Sequence, residues 1–305
     1  MEQTGFMVPQ CYASPVGLRA PRTSVTSSTI LAMQRITSRH NAVVARYRAA
    51  ARGDDESVML LDGSHLVEEA LDAKVPLRHV AIAGAAATTE WALLARLSAL
   101  GVEPVSVSPP VMAALSPVHT PSTVVALADR PADRGETIFA GRAPLVVATV
   151  NVQDPGNLGA IVRTAEAGGA SGLVTTAQSA NPFGWKALRG SMGSALRLPI
   201  ASIDSVESLV SAARRGGCRV IAAAPRGGRD PFDTPMNGAT LLLIGGEGRG
   251  LPPDVEADAD LRVTIPMASP VESLNAATCA ALLIYEVRRQ RLASSPDGLP
   301  LSSQS

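Results

Sequence analysis

With 305 residues the chain is long enough for two ordinary domains, each with its own core. Hydrophobic residues make up 46% but aromatic residues only 3%, so those cores must be built from Ala, Val, Leu and Ile, which favours α/β layers over an aromatic-rich β-sandwich. The 27 basic and 27 acidic residues cancel, which excludes a simple polycation, and no apolar run reaches the roughly 20 residues needed to span a bilayer.

Residues 1–32 are rich in Ser, Thr, Pro and Arg. They read as a disordered tail or an over-extended start, with a transit peptide as the alternative. Residues 34–52 carry Arg35, Arg39, His40, Arg46, Arg48 and Arg52 and no acid. Alternating elements follow: a strand at Val58–Leu61, a helix at Ser64–Ala73, a strand at His79–Ile82, a helix at Thr89–Leu100, a strand at Glu103–Val107, a short helix at Val111–Leu115 and a strand at Thr123–Leu127. The pattern predicts a small α/β domain over 33–128. Polar, Pro- and Gly-punctuated residues 129–143 predict a linker.

A second alternating block, 144–293, has strands predicted at Leu145–Val150, Leu173–Thr176, Arg219–Ala223, Leu241–Ile244 and Leu261–Ile265. These are continuous apolar runs, as expected where both faces of a parallel sheet are covered. Helices are predicted at Leu158–Gly168 and Ser205–Arg215, and a last one at Ser273–Leu292, with Leu274, Thr278, Ala281, Leu282 and Tyr285 on one face. Residues 294–305 read as a tail. Cys11, Cys218 and Cys279 share no metal-ligand or disulfide spacing, which suggests reduced thiols in a cytoplasmic protein, with Cys218 and Cys279 as core filler. His40, His65, His79 and His119 form no ligand cluster, so no metal site is expected.

Three strand-to-loop segments of the second block carry chemistry. After the first strand comes Asn151-Val-Gln-Asp-Pro-Gly-Asn-Leu-Gly159, where Pro155 and Gly156 force a turn, Asn157 is suited to cap a helix, and Arg163 lies about a turn and a half further on. After the fourth comes Gly245-Gly-Glu-Gly-Arg-Gly250, a glycine-rich turn with one carboxylate, Glu247. It has no Gly-Lys-Ser/Thr, so it is not a Walker A loop. After the fifth comes Ile265-Pro-Met-Ala-Ser-Pro-Val-Glu-Ser-Leu-Asn275, where Ser273 can cap the last helix and Asn275 falls in its first turn. Each segment alone is equally readable as a capped helix or a plain turn. All three follow strands of one parallel sheet, where α/β proteins place their ligands.

In this order and spacing the segments resemble the three signature motifs of the SpoU-type RNA ribose methyltransferases of the SPOUT superfamily. The stretch Lys186-Ala-Leu-Arg-Gly-Ser-Met-Gly193 is similar to the basic segment between the first two motifs. The resemblance, over about 145–292, implies a deep trefoil knot, a homodimer and S-adenosylmethionine as cofactor. It implies cofactor contacts at Gly245, Gly246, Ile265, Met267 and Leu274, and catalytic or pocket-shaping roles for Asn157, Arg163, Glu247, Ser273 and Asn275, with Glu247 paired to an arginine. Arg163 would clamp a phosphate and stabilise the developing 2′-alkoxide; its guanidinium is a reluctant base, and the base role stays open.

The N-terminal block resembles, more loosely, the ribosomal-protein-like substrate module of many members, through Ser38-Arg-His-Asn41, Leu61-Asp-Gly-Ser-His-Leu-Val-Glu-Glu-Ala70 and Pro121. That likeness implies RNA contacts from Arg35, Arg39, Arg46, Arg48, Lys186 and Arg189 and favours ribosomal RNA as substrate. A tRNA ribose methyltransferase and a non-catalytic RNA-binding protein remain as alternatives. A nicotinamide-dependent oxidoreductase is disfavoured, because Asp154-Pro-Gly-Asn-Leu-Gly159 lacks the Gly-x-Gly-x-x-Gly fingerprint.

Overall fold

The computed structural model describes residues 33–294, apart from Arg249 and the side chain of Glu136. The tails expected at 1–32 and beyond 294, and Cys11, lie outside the described residues. A two-residue strand, β1 (Arg35–Ile36), leads into α1 (Ala42–Arg52), where no helix was predicted. The Asn41 side chain accepts from the Val43 amide at 2.9 Å to start α1, and Gly53 at φ 79° stops it. Val44 and Tyr47 form its buried stripe, and Arg46 and Arg48 point outward.

Next come β2 (Val58–Asp62), α2 (Ser64–Asp72), β3 (Leu77–Ala83), α3 (Trp91–Ala99), β4 (Val105–Val107), α4 (Pro109–Leu115) and β5 (Val124–Asp129). The sheet runs β1-β4-β3-β5-β2, parallel between β1, β4 and β3 and antiparallel where β5 meets β3 and β2.

The second sheet is built from β6 (Leu145–Val150), β7 (Gly172–Thr176), β8 (Ile200–Ile203), β9 (Arg219–Ala223), β10 (Thr240–Gly245) and β11 (Leu261–Val263). Its order is β11-β9-β10-β6-β7-β8 and every pairing is parallel. Helices α5 (Pro155–Gly168), α6 (Trp185–Ser191), α7 (Val206–Arg215), α8 (Pro253–Asp258) and α9 (Ala276–Ser294) accompany it. From β6 the chain moves outward through β7 and β8, then crosses over and places β10 on the other side of β6. That reversal falls between β6 and β10, the usual ligand position in such sheets, and the cavity described below opens beside it, at the carboxyl ends of β9, β10 and β11. All strands being parallel, the loops after β6, β9, β10 and β11 emerge at one edge.

Helix α9 differs from expectation in its start. It begins at Ala276, because Asn275 and not Ser273 is its cap: Asn275 Oδ1 accepts from the amides of Ala277 (2.8 Å) and Thr278 (3.3 Å). Its buried residues include Ala276, Ala280, Leu283, Ile284 and Val287, so the predicted face of Thr278, Ala281, Leu282 and Tyr285 is the outward one. The buried stripe rests on α5 so closely that a Cβ on Gly168 would come within 2.2 Å of the Ile284 side chain. Helix α5 is likewise capped by Asp154 and not by Asn157; Asp154 Oδ1 accepts from the Asn157 amide at 2.7 Å.

One apolar cluster runs through both sheets, from Met59, Leu66 and Leu94 to Leu158, Leu196 and Ile284. Polar contacts flank it. Arg189 Nη1 donates to the buried carboxylate of Asp62 at 2.5 Å, and Arg197 bonds both Glu166 (2.7 Å) and Glu69. Among the described residues no helix is long and apolar enough to cross a membrane.

Candidate active site

A cavity of about 360 Å³ opens at the carboxyl edge of the second sheet. Its floor and walls are apolar, from Ile244, Val263, Ile265 and Leu283, and its mouth carries Glu247, Ser273 and Asn275. The five expected cofactor residues, Gly245, Gly246, Ile265, Met267 and Leu274, all line it. So does a segment that had no expected role, Ala223-Ala-Pro225 after β9. Nothing in those side chains announces chemistry; only the adjacency of β9 and β10 puts them there. Cys279, expected as core filler, also faces the cavity, and burial pushes its thiol up to about 11.

The turn after β10 is as tight as its glycines allow. The Gly250 amide donates to the Gly246 carbonyl at 3.1 Å, closing the loop that presents Glu247. A Cβ on Gly246 would sit 1.9 Å from the carbonyl oxygen of Asn151, and one on Gly245 2.3 Å from the backbone of Gly250. Asn151 itself holds φ 59°, a conformation asparagine tolerates better than most residues, and its amide donates to Thr176 Oγ1 at 3.1 Å. The loops after β6 and β10 therefore touch backbone to backbone.

Three side chains, each from a different segment, join in a directional chain across this mouth. Asn275 must present Oδ1 to the first amides of α9, so its Nδ2 faces away and donates to Asn157 Oδ1 at 2.9 Å. That fixes the Asn157 amide, whose Nδ2 donates to Glu247 Oε1 at 2.5 Å. Among the described residues the partner of Glu247 is thus an amide and not the expected arginine; Arg249 lies outside them. Replacing Asn275 with alanine removes the α9 cap and releases Asn157 together. The cap is worth about 1 kcal/mol, so a lowered melting temperature is expected with a proportionally larger loss of turnover. Unchanged turnover in the folded variant would show that the chain of amides is not used.

Ser273 lines the mouth without a side-chain hydrogen bond among those described, and Arg163 is exposed on α5 outside the cavity lining. Arg35, Arg46 and Arg48 are exposed on the N-terminal sheet and α1, Arg39 Nε donates to the Pro110 carbonyl at 3.1 Å, and Lys186 lies 5.4 Å over the Trp185 ring. Arg189, expected to face RNA, instead engages Asp62.

Residues 144–285 match the SpoU rRNA Methylase family and residues 49–126 the MRM3-like substrate binding domain. The 23S rRNA (uridine(2479)-2′-O)-methyltransferase of Streptomyces viridochromogenes is 32% identical over 271 residues, covering 86% of this chain and 94% of that one. The chain belongs to the SpoU rRNA methylase family. The 23S rRNA (guanosine(2553)-2′-O)-methyltransferase RlmP of Bacillus subtilis is 29% identical over 76% of this chain and 89% of its own length. The AdoMet complex of the SpoU methyltransferase AviRb from Streptomyces viridochromogenes superposes with a TM-score of 0.74 at 30% identity, over 84% of this chain and 100% of that one. This SpoU chain is accordingly an S-adenosylmethionine-dependent RNA methyltransferase. Its cavity fits that cofactor: the volume lies within the roughly 300–1,000 Å³ of small-molecule sites, apolar residues suit a purine, and polar groups gather only at the mouth.

Proposed function

We propose that the chain methylates one ribose 2′-hydroxyl of 23S ribosomal RNA, acting in the cytoplasm as a homodimer whose C-terminal part is threaded as a trefoil knot. The observation that carries this reading is the hydrogen-bonded Glu247–Asn157–Asn275 chain across the mouth of an apolar cavity of cofactor size. The substrate-domain match over 49–126 favours ribosomal RNA, the RNA named for both relatives. Exposed Leu282 (40%) and Tyr285 (49%) on the outer face of α9 support a second protomer, and the out-of-order placement of β10 beside β6 with α9 back on α5 supports the threading.

When bound, S-adenosylmethionine supplies an electrophilic methyl on a sulfonium. Gly245, Gly246, Ile265, Met267 and Leu274 would hold it, the two glycines letting the turn after β10 pack against the Asn151 and Gly250 backbones that shape the cavity. The apolar walls exclude water. Asn157 and Asn275 keep Glu247 in one orientation at the mouth, so the polar groups around the ribose are set before RNA arrives, and positioning is the larger part of such a transfer. Arg163 provides a permanent positive charge beside this edge for the RNA phosphate and the developing oxygen anion.

The test is a map of 2′-O-methyl sites in ribosomal RNA from cells with and without the gene. One mark in 23S RNA is expected to vanish and to return with the wild-type chain. Loss of a mark in tRNA, or of none, would overturn the assignment.

A further inference from the structure

We infer that Asp62 and Arg189 form a positioning pair that sets the angle between the N-terminal sheet and the methyl-transfer site, and that Arg189 is not itself an RNA ligand. The inference rests on the RNA-methylating reading above. Asp62 ends β2, and its side chain is 0% exposed. Its two oxygens are satisfied by Ser116 Oγ at 3.0 Å and Arg189 Nη1 at 2.5 Å. A carboxylate so enclosed needs its cation, whereas Arg189 is 46% exposed and has no such need. The pair therefore holds α6 to the end of β2.

Helix α6 is in turn immobilised on the helix that carries Asn157 and Arg163. Gly159 and Gly190 meet there with no space between backbones: a Cβ on Gly159 would lie 2.5 Å from the Ala187 carbonyl and 2.9 Å from Gly190, and one on Gly190 3.2 Å from the Gly156 carbonyl. Gly156 and Gly159 flank Asn157 in the first turns of α5. A line of rigid contacts thus runs from the N-terminal sheet through Asp62, Arg189 and α6 to Asn157. Just beyond the carboxyl end of α6, Gly193 and Arg197 both rest on Glu69 of α2, a second tie between the same two parts of the chain.

The experiment measures methyl transfer from tritiated S-adenosylmethionine to total ribosomal RNA from cells lacking the gene, below the melting temperature of every variant. Asp62→Asn and Arg189→Gln are each expected to lower turnover at saturating RNA by about 10- to 100-fold, the loss typical of a misplaced reacting group. Affinity for S-adenosylmethionine should not change. The double variant should be no worse than the more damaged single one, since both changes break one contact, and Arg189→Lys should recover part of the loss. A merely structural pair would lower melting temperatures and leave turnover of the folded protein intact, overturning the inference. A phosphate contact would instead show as weaker RNA binding with a shallower salt dependence in Arg189→Gln but not in Asp62→Asn, with the same consequence. Should Asp62→Asn not fold, Arg189→Gln against Arg189→Lys keeps the comparison. Failure of the wild type to label the RNA would sink the functional reading and this inference with it, whereas a labelled wild type with wild-type-like variants sinks the inference alone.

Discussion

Replacing Arg163 with alanine is expected to lower turnover about 10²–10³-fold, equivalent to roughly 3–4 kcal/mol of transition-state stabilisation, with affinity for S-adenosylmethionine unchanged. The split follows from geometry. Arg163 is outside the cavity lining, so its loss leaves the cofactor's walls in place. It lies six residues beyond Asn157 on the same helix, about 9 Å along the axis and about a third of a turn round it, so any contact with a ribose or its phosphate depends on the reach of its long side chain. Lysine at this position keeps the charge but not the planar fork, so Arg163→Lys should fall between the two. Calorimetry and single-turnover methylation of ribosomal RNA check both halves. A tenfold weaker cofactor with undiminished single-turnover rate would move Arg163 from the chemistry to the cofactor site.

A second large effect is expected from one methyl group. In Gly246→Ala the new Cβ would be 1.9 Å from the Asn151 carbonyl oxygen, far inside van der Waals contact, and its neighbour is backbone and not a side chain that could swing away. Either the turn that holds Glu247 or the loop that leads to Asn157 must move. Because those loops share one hydrogen bond, between Asn157 and Glu247, either movement breaks it. Misplacement by an ångström costs about 100-fold in rate, and the cavity wall shifts as well, so both methyl transfer and cofactor affinity should drop. Equilibrium binding of S-adenosylmethionine together with the methylation rate decides this. A variant that binds and turns over normally would mean the turn relaxes at little cost. Asn151 at φ 59° turns its carbonyl into the space that a side chain at position 246 would need.

The elements legible in the sequence were those whose signal is burial. Strands β6 and β9 were predicted to the residue, because runs of Val, Leu, Ile and Ala, broken only by Thr149 in β6 and Arg219 at the start of β9, leave a central parallel strand little choice. Helix α1 escaped because its arginines mask a stripe of only two buried residues, Val44 and Tyr47, and α6 because seven residues flanked by Gly184 and Gly193 look like loop. On α9 apolar residues occupy more than one side, Leu282 and Tyr285 outward and Leu283, Ile284 and Val287 inward, so hydropathy alone does not say which face packs on α5. At the site, polar residues at fixed spacing gave away the mouth, but the wall formed by Ala223, Ala224 and Pro225 has no chemical signature and follows only from strand order. The Asp62–Arg189 contact spans 127 residues, a separation that no local pattern reveals.

Among the described residues, every one that lines the cavity lies at position 223 or later. Synthesis therefore passes through the N-terminal sheet and β6 to β8 before any wall of the cofactor pocket exists, and the wall on α9 is the last of them to emerge. Domains generally form in order of synthesis, so the N-terminal sheet is available first, while the half-made chain has no means of holding a methyl donor. Premature termination anywhere before Ala276 leaves the pocket without its α9 wall.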